Sequence, residues 1–296
     1  MEEAATPTNF GHAVQSRDET PSGDRIAIAT SAYLVCLDRA GVELWRFDFG
    51  PSTGAMASAR TNCRFSLDGT AVWLYRPDLY SGHGEVDRWF ALDAATGAIL
   101  GDAALPTYGG HGGYHLVHPD GVHVLLEVGC GQDGCFVFNG RIDDGVMTSA
   151  PWPVADDPRQ CDQRIAALSP DGGQIMAFEH DDAAVTFRDF PSGTVQWQIG
   201  LQDFGFDLDS DQIETVFLWS GRYVDDRIAM VEFKGETGEL NEDDEEVPAW
   251  AADGLGEWED YRAYVAIDLR ARRVLGPAGA DGAHTGEHPR FVPEPR

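Results

Sequence analysis

Apolar runs of five or six residues alternate along the chain with short polar turns, and the runs are rich in the β-branched and aromatic residues that suit strands. The clearest instance is Arg164-Ile165-Ala166-Ala167-Leu168, then the turn Ser169-Pro170-Asp171-Gly172, then Gln174-Ile175-Met176-Ala177-Phe178. An Asp-Gly pair between extended apolar runs predicts a hairpin, because Gly supplies the positive φ that such a turn needs. The turn recurs as Ser66-Leu67-Asp68-Gly69 and as His118-Pro119-Asp120-Gly121. Recurrence of one supersecondary unit predicts a repeat architecture.

A second unit follows each turn after two further strand candidates: an Asp-containing turn that leads into another apolar strand. Its copies are Leu37-Asp38-Arg39-Ala40-Gly41-Val42-Glu43-Leu44-Trp45, Leu92-Asp93-Ala94-Ala95-Thr96-Gly97-Ala98-Ile99-Leu100 and Arg188-Asp189-Phe190-Pro191-Ser192-Gly193-Thr194-Val195-Gln196-Trp197. Ile267-Asp268-Leu269-Arg270-Ala271-Arg272-Arg273-Val274-Leu275 is a copy without the Gly. This unit predicts a hairpin joining the two outer strands of a four-stranded sheet, whose apolar face a neighbouring sheet must cover.

The expected fold is therefore all-β, a propeller of about six four-stranded blades at roughly 40–45 residues each. Five blades are readable, at about 24–50, 58–105, 113–150, 160–200 and 210–277. Ring closure by both termini would place Phe10 to Ser16 and Arg290 to Glu294 in a sixth, shared blade. The whole chain, 1–296, is expected to be a single β-propeller domain with an acidic loop insertion at about 235–260.

These motifs together resemble the WD-repeat-like and TolB-type β-propeller superfamily, over about 24 to 277. In that superfamily an S-P-D-G turn, an alternating strand and a D-x-x-x-G turn mark each blade. This chain departs from it in lacking the Gly-His and Trp-Asp dipeptides of WD repeats at the blade positions, and in having Leu67 where the turn carries Pro. The resemblance implies a fold; propellers host binding modules and enzymes alike, so it transfers no functional residue.

Composition sets the chemical context. Fifty Asp and Glu against 21 Lys and Arg give a formal charge of −29, which opposes binding to nucleic acid or anionic membranes. Lys234 is the sole lysine and lies outside any G-x-x-x-x-G-K-[ST] pattern, so no phosphate-binding loop is expected. The first residues, Met1-Glu2-Glu3-Ala4-Ala5-Thr6-Pro7, show neither a basic nor an apolar leader region, and five cysteines fit a reducing compartment. A cytoplasmic location is the expectation. Cys36, within Leu34-Val35-Cys36-Leu37, reads as a small buried residue.

Four segments carry candidate chemistry. Tyr108-Gly109-Gly110-His111-Gly112-Gly113-Tyr114-His115 reads as a loop entering the third blade beside the central channel, with His111, Tyr114 and His115 as ligand-loop candidates. His111, His115, His118 and His123 with Cys130 and Cys135 offer metal-ligand chemistry, but the spacing is irregular. His118 lies in a turn and His123 opens the next strand, so the two are expected to project differently. Cys130 and Cys135 flank a Gly-rich hairpin loop and are read as facing each other across strand ends. Asp207-Leu208-Asp209-Ser210-Asp211-Gln212-Ile213-Glu214 starts like a calcium loop but has Gln212 where Gly is required and Leu218 where Glu is required. No metal and no cofactor are expected.

The fourth segment is the insertion. From Glu236 to Asp260 it has eleven acids and no Lys or Arg. Like charges repel and stay extended, and mixed with aromatics they serve as contact segments for basic partners. Glu242, Asp243, Asp244, Glu245, Glu246, Trp250 and Trp258 are the interaction candidates.

No G-x-S-x-G elbow, dinucleotide fingerprint or H-E-x-x-H helix occurs in the sequence. The function expected is that of a monomeric binding or assembly module that engages a protein partner, a basic one included, through its loops and channel face. The alternative is a hydrolase or lactonase-like enzyme holding a metal or small ligand in the channel.

Overall fold

The computed structural model describes residues 11–50, 60–78, 82–107, 112–130, 134–153, 163–179, 184–204, 216–236 and 260–277. These form twenty strands in five four-stranded antiparallel sheets, each a meander in chain order. Such consecutive meanders are the blades of a β-propeller, as the turn pattern predicts. The chain divides into two compact units, 1–164 and 165–296.

The first unit holds three blades. β1 (Val14–Glu19), β2 (Arg25–Thr30), β3 (Tyr33–Asp38) and β4 (Glu43–Asp48) make the first; β5 (Asn62–Phe65), β6 (Ala71–Arg76), β7 (Arg88–Asp93) and β8 (Ile99–Ala104) the second. The third comprises β9 (Gly113–Val117), β10 (His123–Gly129), β11 (Cys135–Asp143) and β12 (Val146–Pro151). The second unit holds β13 (Gln163–Leu168), whose first two residues lie at the end of the first unit, with β14 (Gln174–Glu179), β15 (Ala184–Asp189) and β16 (Val195–Gly200). Its other blade is β17 (Val216–Tyr223), β18 (Ile228–Glu236), β19 (Asp260–Asp268) and β20 (Arg273–Pro277).

The expected boundaries hold for four blades, and the first is longer than expected. Val14–Glu19 pairs with β2 as the first strand of blade one, so Val14 to Ser16 are not left over for a shared sixth blade. Phe10 and residues 290–294, the other parts of that expectation, lie outside the described residues.

Burial explains why the middle strands read as continuous apolar runs. β2, β3, β6 and β7 are covered on both faces, whereas β4 and β8 are exposed or half-buried at nearly every position. On β6, Val72 and Leu74 pack with Ala27, Leu34, Trp45 and Phe65, while Trp73 and Tyr75 pack on the opposite side with Leu126, Val128 and Phe138. A strand thus serves the core on each side of its blade, and each large side chain so buried is worth about 1.5–3 kcal/mol relative to exposure. In the second unit Phe178, Val185 and Phe187 meet Val231, Phe233, Val265 and Ile267 in the same manner.

Blades two and three pack tightly at Gly140. A Cβ there would lie 2.5 Å from Trp89 and 2.8 Å from Trp73, and both indoles are fully buried. Neither ring has free space to retreat into. Gly140→Ala is therefore expected to cost about 1–3 kcal/mol by overpacking, read as a fall of roughly 2–12 °C in the unfolding midpoint. An unchanged midpoint would show that the two blades can separate without penalty.

Candidate functional site

The turn between the first and second strands shares one backbone pattern in the first four blades. In blade two the Ser66 amide donates to the Ala71 carbonyl at 2.9 Å, the Ala71 amide donates back to the Ser66 hydroxyl at 3.0 Å, and that hydroxyl donates to Asp68 at 2.6 Å. Blade four repeats this with Ser169, Gln174 and Asp171 at 2.8, 2.9 and 2.8 Å. Blade one has a copy that the sequence pattern did not single out, Thr20-Pro21-Ser22-Gly23, with the acid moved to Asp24. There the Thr20 hydroxyl accepts from the Arg25 amide at 3.1 Å and donates to Asp24 at 2.6 Å. The glycines of the four turns, Gly23, Gly69, Gly121 and Gly172, have φ of 67°, 71°, 73° and 75°. A Gly at the fourth place, with a hydroxyl at the first, was the usable signal.

Blade three keeps the backbone of this turn and changes its chemistry. The His118 amide donates to the His123 carbonyl at 3.0 Å, as in the other copies, but the hydroxyl is replaced by an imidazole. Asp120 takes over its work. One carboxylate oxygen accepts from the Val122 and His123 amides at 2.8 and 3.0 Å and lies 3.1 Å from His118 Nδ1; the other lies 2.6 Å from His123 Nδ1. Partial burial pushes the Asp120 carboxyl up, but the bonds from His123 and Val122, with His118, outweigh it and hold the group far below the ordinary carboxylate range.

One ligand atom each from His118, Asp120 and His123 therefore lies within 4.8 Å of the others. This corrects the expectation that the two histidines project differently. They flank the turn as a hydrogen-bonded cross-strand pair, and directly opposed residues share a face. His118 is buried, His123 is 18% exposed at its side chain and Asp120 36%, so the cluster has a closed floor and an open mouth.

His115 has a different fate. Trp89 Nε1–H donates to its Nε2 at 2.9 Å, so Nδ1 carries the proton and donates to Asn62 Oδ1 at 2.6 Å. This chain joins β5, β7 and β9 inside the core between blades two and three. Burial, aided by the charge of Arg64, lowers its pKa to about 3, and the ring is neutral at physiological pH. Tyr114, its neighbour on β9, faces the other way and is 60% exposed.

A further buried polar group escaped the sequence pattern: the Asp87 carboxylate accepts from Tyr75 Oη at 2.9 Å and Thr107 Oγ1 at 3.0 Å. Burial first, then the charge of Asp87, raises the Tyr75 pKa well above its ordinary value. These contacts tie β6 to the segments flanking β7 and β8, and their role is structural.

Cys130 and Cys135 flank the turn between β10 and β11 but, contrary to expectation, do not face each other: Cys135 is opposite Gly129, and the Cys130 amide bonds the Gly134 carbonyl at 2.8 Å, one register step away. Cys36 is fully buried. His111, the segment 207–214 and the insertion candidates Glu242, Asp243, Asp244, Glu245, Glu246, Trp250 and Trp258 lie outside the described residues. The strands on either side of the insertion are described: β18 and β19 pair without interruption from Ile228↔Asp268 to Glu236↔Asp260. Among the described residues no helix is long and apolar enough to cross a membrane.

No family model and no curated protein matches the sequence. Solved structures do resemble the fold. Hydrazine synthase of Kuenenia stuttgartiensis aligns at a TM-score of 0.53 with 15% identity, over 96% of this chain and 72% of that one. The dihydro-heme d1 dehydrogenase NirN aligns at 0.51 with 13% identity, over 90% of this chain and 46% of its own. The Cps50 (Swd1) β-propeller domain of Myceliophteria thermophila aligns at 0.47 with 10% identity, over 97% and 89%. At these identities the likeness is one of fold. The protein is a β-propeller, and its chemistry has to be argued from its own residues.

Proposed function

We propose that the protein is a cytoplasmic binding module that engages a basic protein partner through its acidic insertion. The observation that carries this reading is the register of β18 and β19. Their pairing continues to Glu236↔Asp260, so a regular two-stranded stem leads directly to residues 237–259 at both ends. That stretch supplies Glu242 to Glu246, Trp250 and Trp258. Carboxylates steer a cationic partner, and tryptophan gives apolar area once contact is made. The net charge of −29 adds long-range attraction of the same sign. The first unit also exposes apolar side chains on its turns: Leu67 is 49% and Val122 48% exposed.

The test is affinity capture of the tagged chain from its native cytoplasm at two salt concentrations, beside a variant lacking 237–259. A basic protein retained at low salt, released at high salt and absent with the variant is the expected result. Equal capture by both forms would refute the role of the insertion. A second reading, a hydrolase or lactonase-like enzyme, is favoured by the convergence of His118, Asp120 and His123. Metal-dependent turnover of ester or lactone substrates that is lost in His123→Ala would support it.

A further inference from the structure

We propose that His118, Asp120 and His123 form a binding site for a divalent transition-metal ion of the zinc class. The inference stands apart from the partner reading, since it concerns another part of the chain.

Three observations carry it. The first is distance. An ion bound at about 2.0–2.2 Å by imidazole nitrogen and carboxylate oxygen holds its ligand atoms roughly 3.0–3.5 Å apart. The Asp120 oxygens lie 3.1 Å from His118 Nδ1 and 2.6 Å from His123 Nδ1. The first separation already fits, and the second needs to open by about half an ångström, within reach of a partly exposed ring.

The second is comparison among the turns of this chain. Position 118 is filled by Thr20, Ser66 and Ser169 in the other copies, and position 123 by Arg25, Ala71 and Gln174. Those turns close with a hydroxyl, one aspartate carboxylate and backbone groups, without an imidazole. The fold thus requires imidazole at neither place. In blade three both flanking residues are histidine and both rings turn toward the one carboxylate.

The third is the chemistry of the pair His118 and Asp120. His118 Nδ1 lies 3.1 Å from an Asp120 carboxylate oxygen and 3.3 Å from the Asp120 amide nitrogen. Two acceptors at that distance repel unless a proton or a cation lies between them. A divalent ion satisfies both. On the other side a carboxylate can only accept, so His123 Nδ1 carries a proton when it bonds Asp120; the ion replaces that proton, which leaves to solvent.

Donor type selects the metal. Two imidazoles and one carboxylate suit zinc, nickel, copper or iron(II) rather than calcium or magnesium, which take oxygen ligands. Three protein ligands leave further positions for water or a ligand, the arrangement of an open rather than a closed site. The buried His118 forms the floor and the accessible His123 the entry.

The test uses the full chain, stripped with a chelator and titrated calorimetrically with zinc, with cobalt(II) as the visible-absorption probe. One equivalent should bind at micromolar affinity or tighter, with ligand-field bands of nitrogen and oxygen ligation and a rise in the unfolding midpoint. His123→Ala should weaken zinc binding at least tenfold and abolish the midpoint rise. Its own midpoint in chelator should fall only slightly, because the ring's bond to Asp120 is lost while the turn's backbone bonds remain. His12→Ala, at a distant ring on Tyr33, should bind like the native chain. Absence of a saturable single site, equal binding by His123→Ala, or displacement of zinc by an equal concentration of magnesium would each overturn the proposal, the last by showing only diffuse attraction to surface carboxylates.

Discussion

Trp89→Ala is expected to destabilise the first unit by roughly 3–5 kcal/mol, the range for deleting a large buried aromatic. Trp89 is fully buried between blades two and three, its ring centroid is 4.9 Å from that of Trp73, and Gly140 lies against its edge. Removing the indole leaves a cavity that two neighbouring sheets cannot collapse to fill without breaking their ladders. It also takes the donor from His115 Nε2, a buried acceptor. Trp89→Phe separates the two effects, since it keeps most of the volume and loses only the donor, and should cost about 1–3 kcal/mol. Denaturant unfolding followed by circular dichroism reads both. Set against total stabilities of about 5–15 kcal/mol, the Ala variant should be partly unfolded near physiological temperature. A loss below about 1 kcal/mol for Trp89→Ala would mean that the contact between the two blades is not held by this aromatic cluster.

The turns and the central strands were legible in the sequence because each has a local cause. Gly69, Gly121 and Gly172 hold positive φ where Asp-Gly predicted it, and Asp93, Asp189 and Asp268 cap the outer hairpins as the second motif required. The copy at Thr20 to Gly23 was missed since its acid comes after the glycine; the outer hairpin of blade three, Asp143-Asp144-Gly145, was missed since it is two residues tighter. In both, the geometry survives a change of residue order because hydroxyl, amide and carboxylate can exchange partners within one turn.

The site was less legible, for a reason of register. Counting along the chain places His118 and His123 in different elements, whereas pairing across the turn makes them direct neighbours. The residues immediately before and after a four-residue hairpin loop face the same way, and that rule would have joined the two. His115 fails for the opposite reason. The glycine-rich segment suggested a loop up to that residue, but β9 begins at Gly113, and alternation then sends Tyr114 outward and His115 into the core.

Acid should expose that burial. His115 has a folded pKa of about 3 against an ordinary value of 6.5, lowered by burial first and by Arg64 second. Between these values the unfolded chain binds a proton that the folded chain refuses, so stability rises with pH across this window. The contribution is complete above about pH 6.5 and is lost progressively as pH falls toward 3, at about 1.4 kcal/mol per unit, up to roughly 4–5 kcal/mol in all. The carboxylates of Asp68, Asp93 and Asp171, whose pKa values are lowered in the fold, add their own loss only below the ordinary carboxylate range near 3.8. Between pH 6 and 4.5 the imidazole therefore dominates the difference between the native chain and His115→Gln. Glutamine can accept from Trp89 and donate to Asn62 through one amide, yet it cannot titrate. Unfolding free energies measured across this interval should fall more steeply for the native chain, and the two curves should converge as pH decreases. Parallel curves would show that His115 takes up its proton without leaving the core, which would place water or a carboxylate beside it.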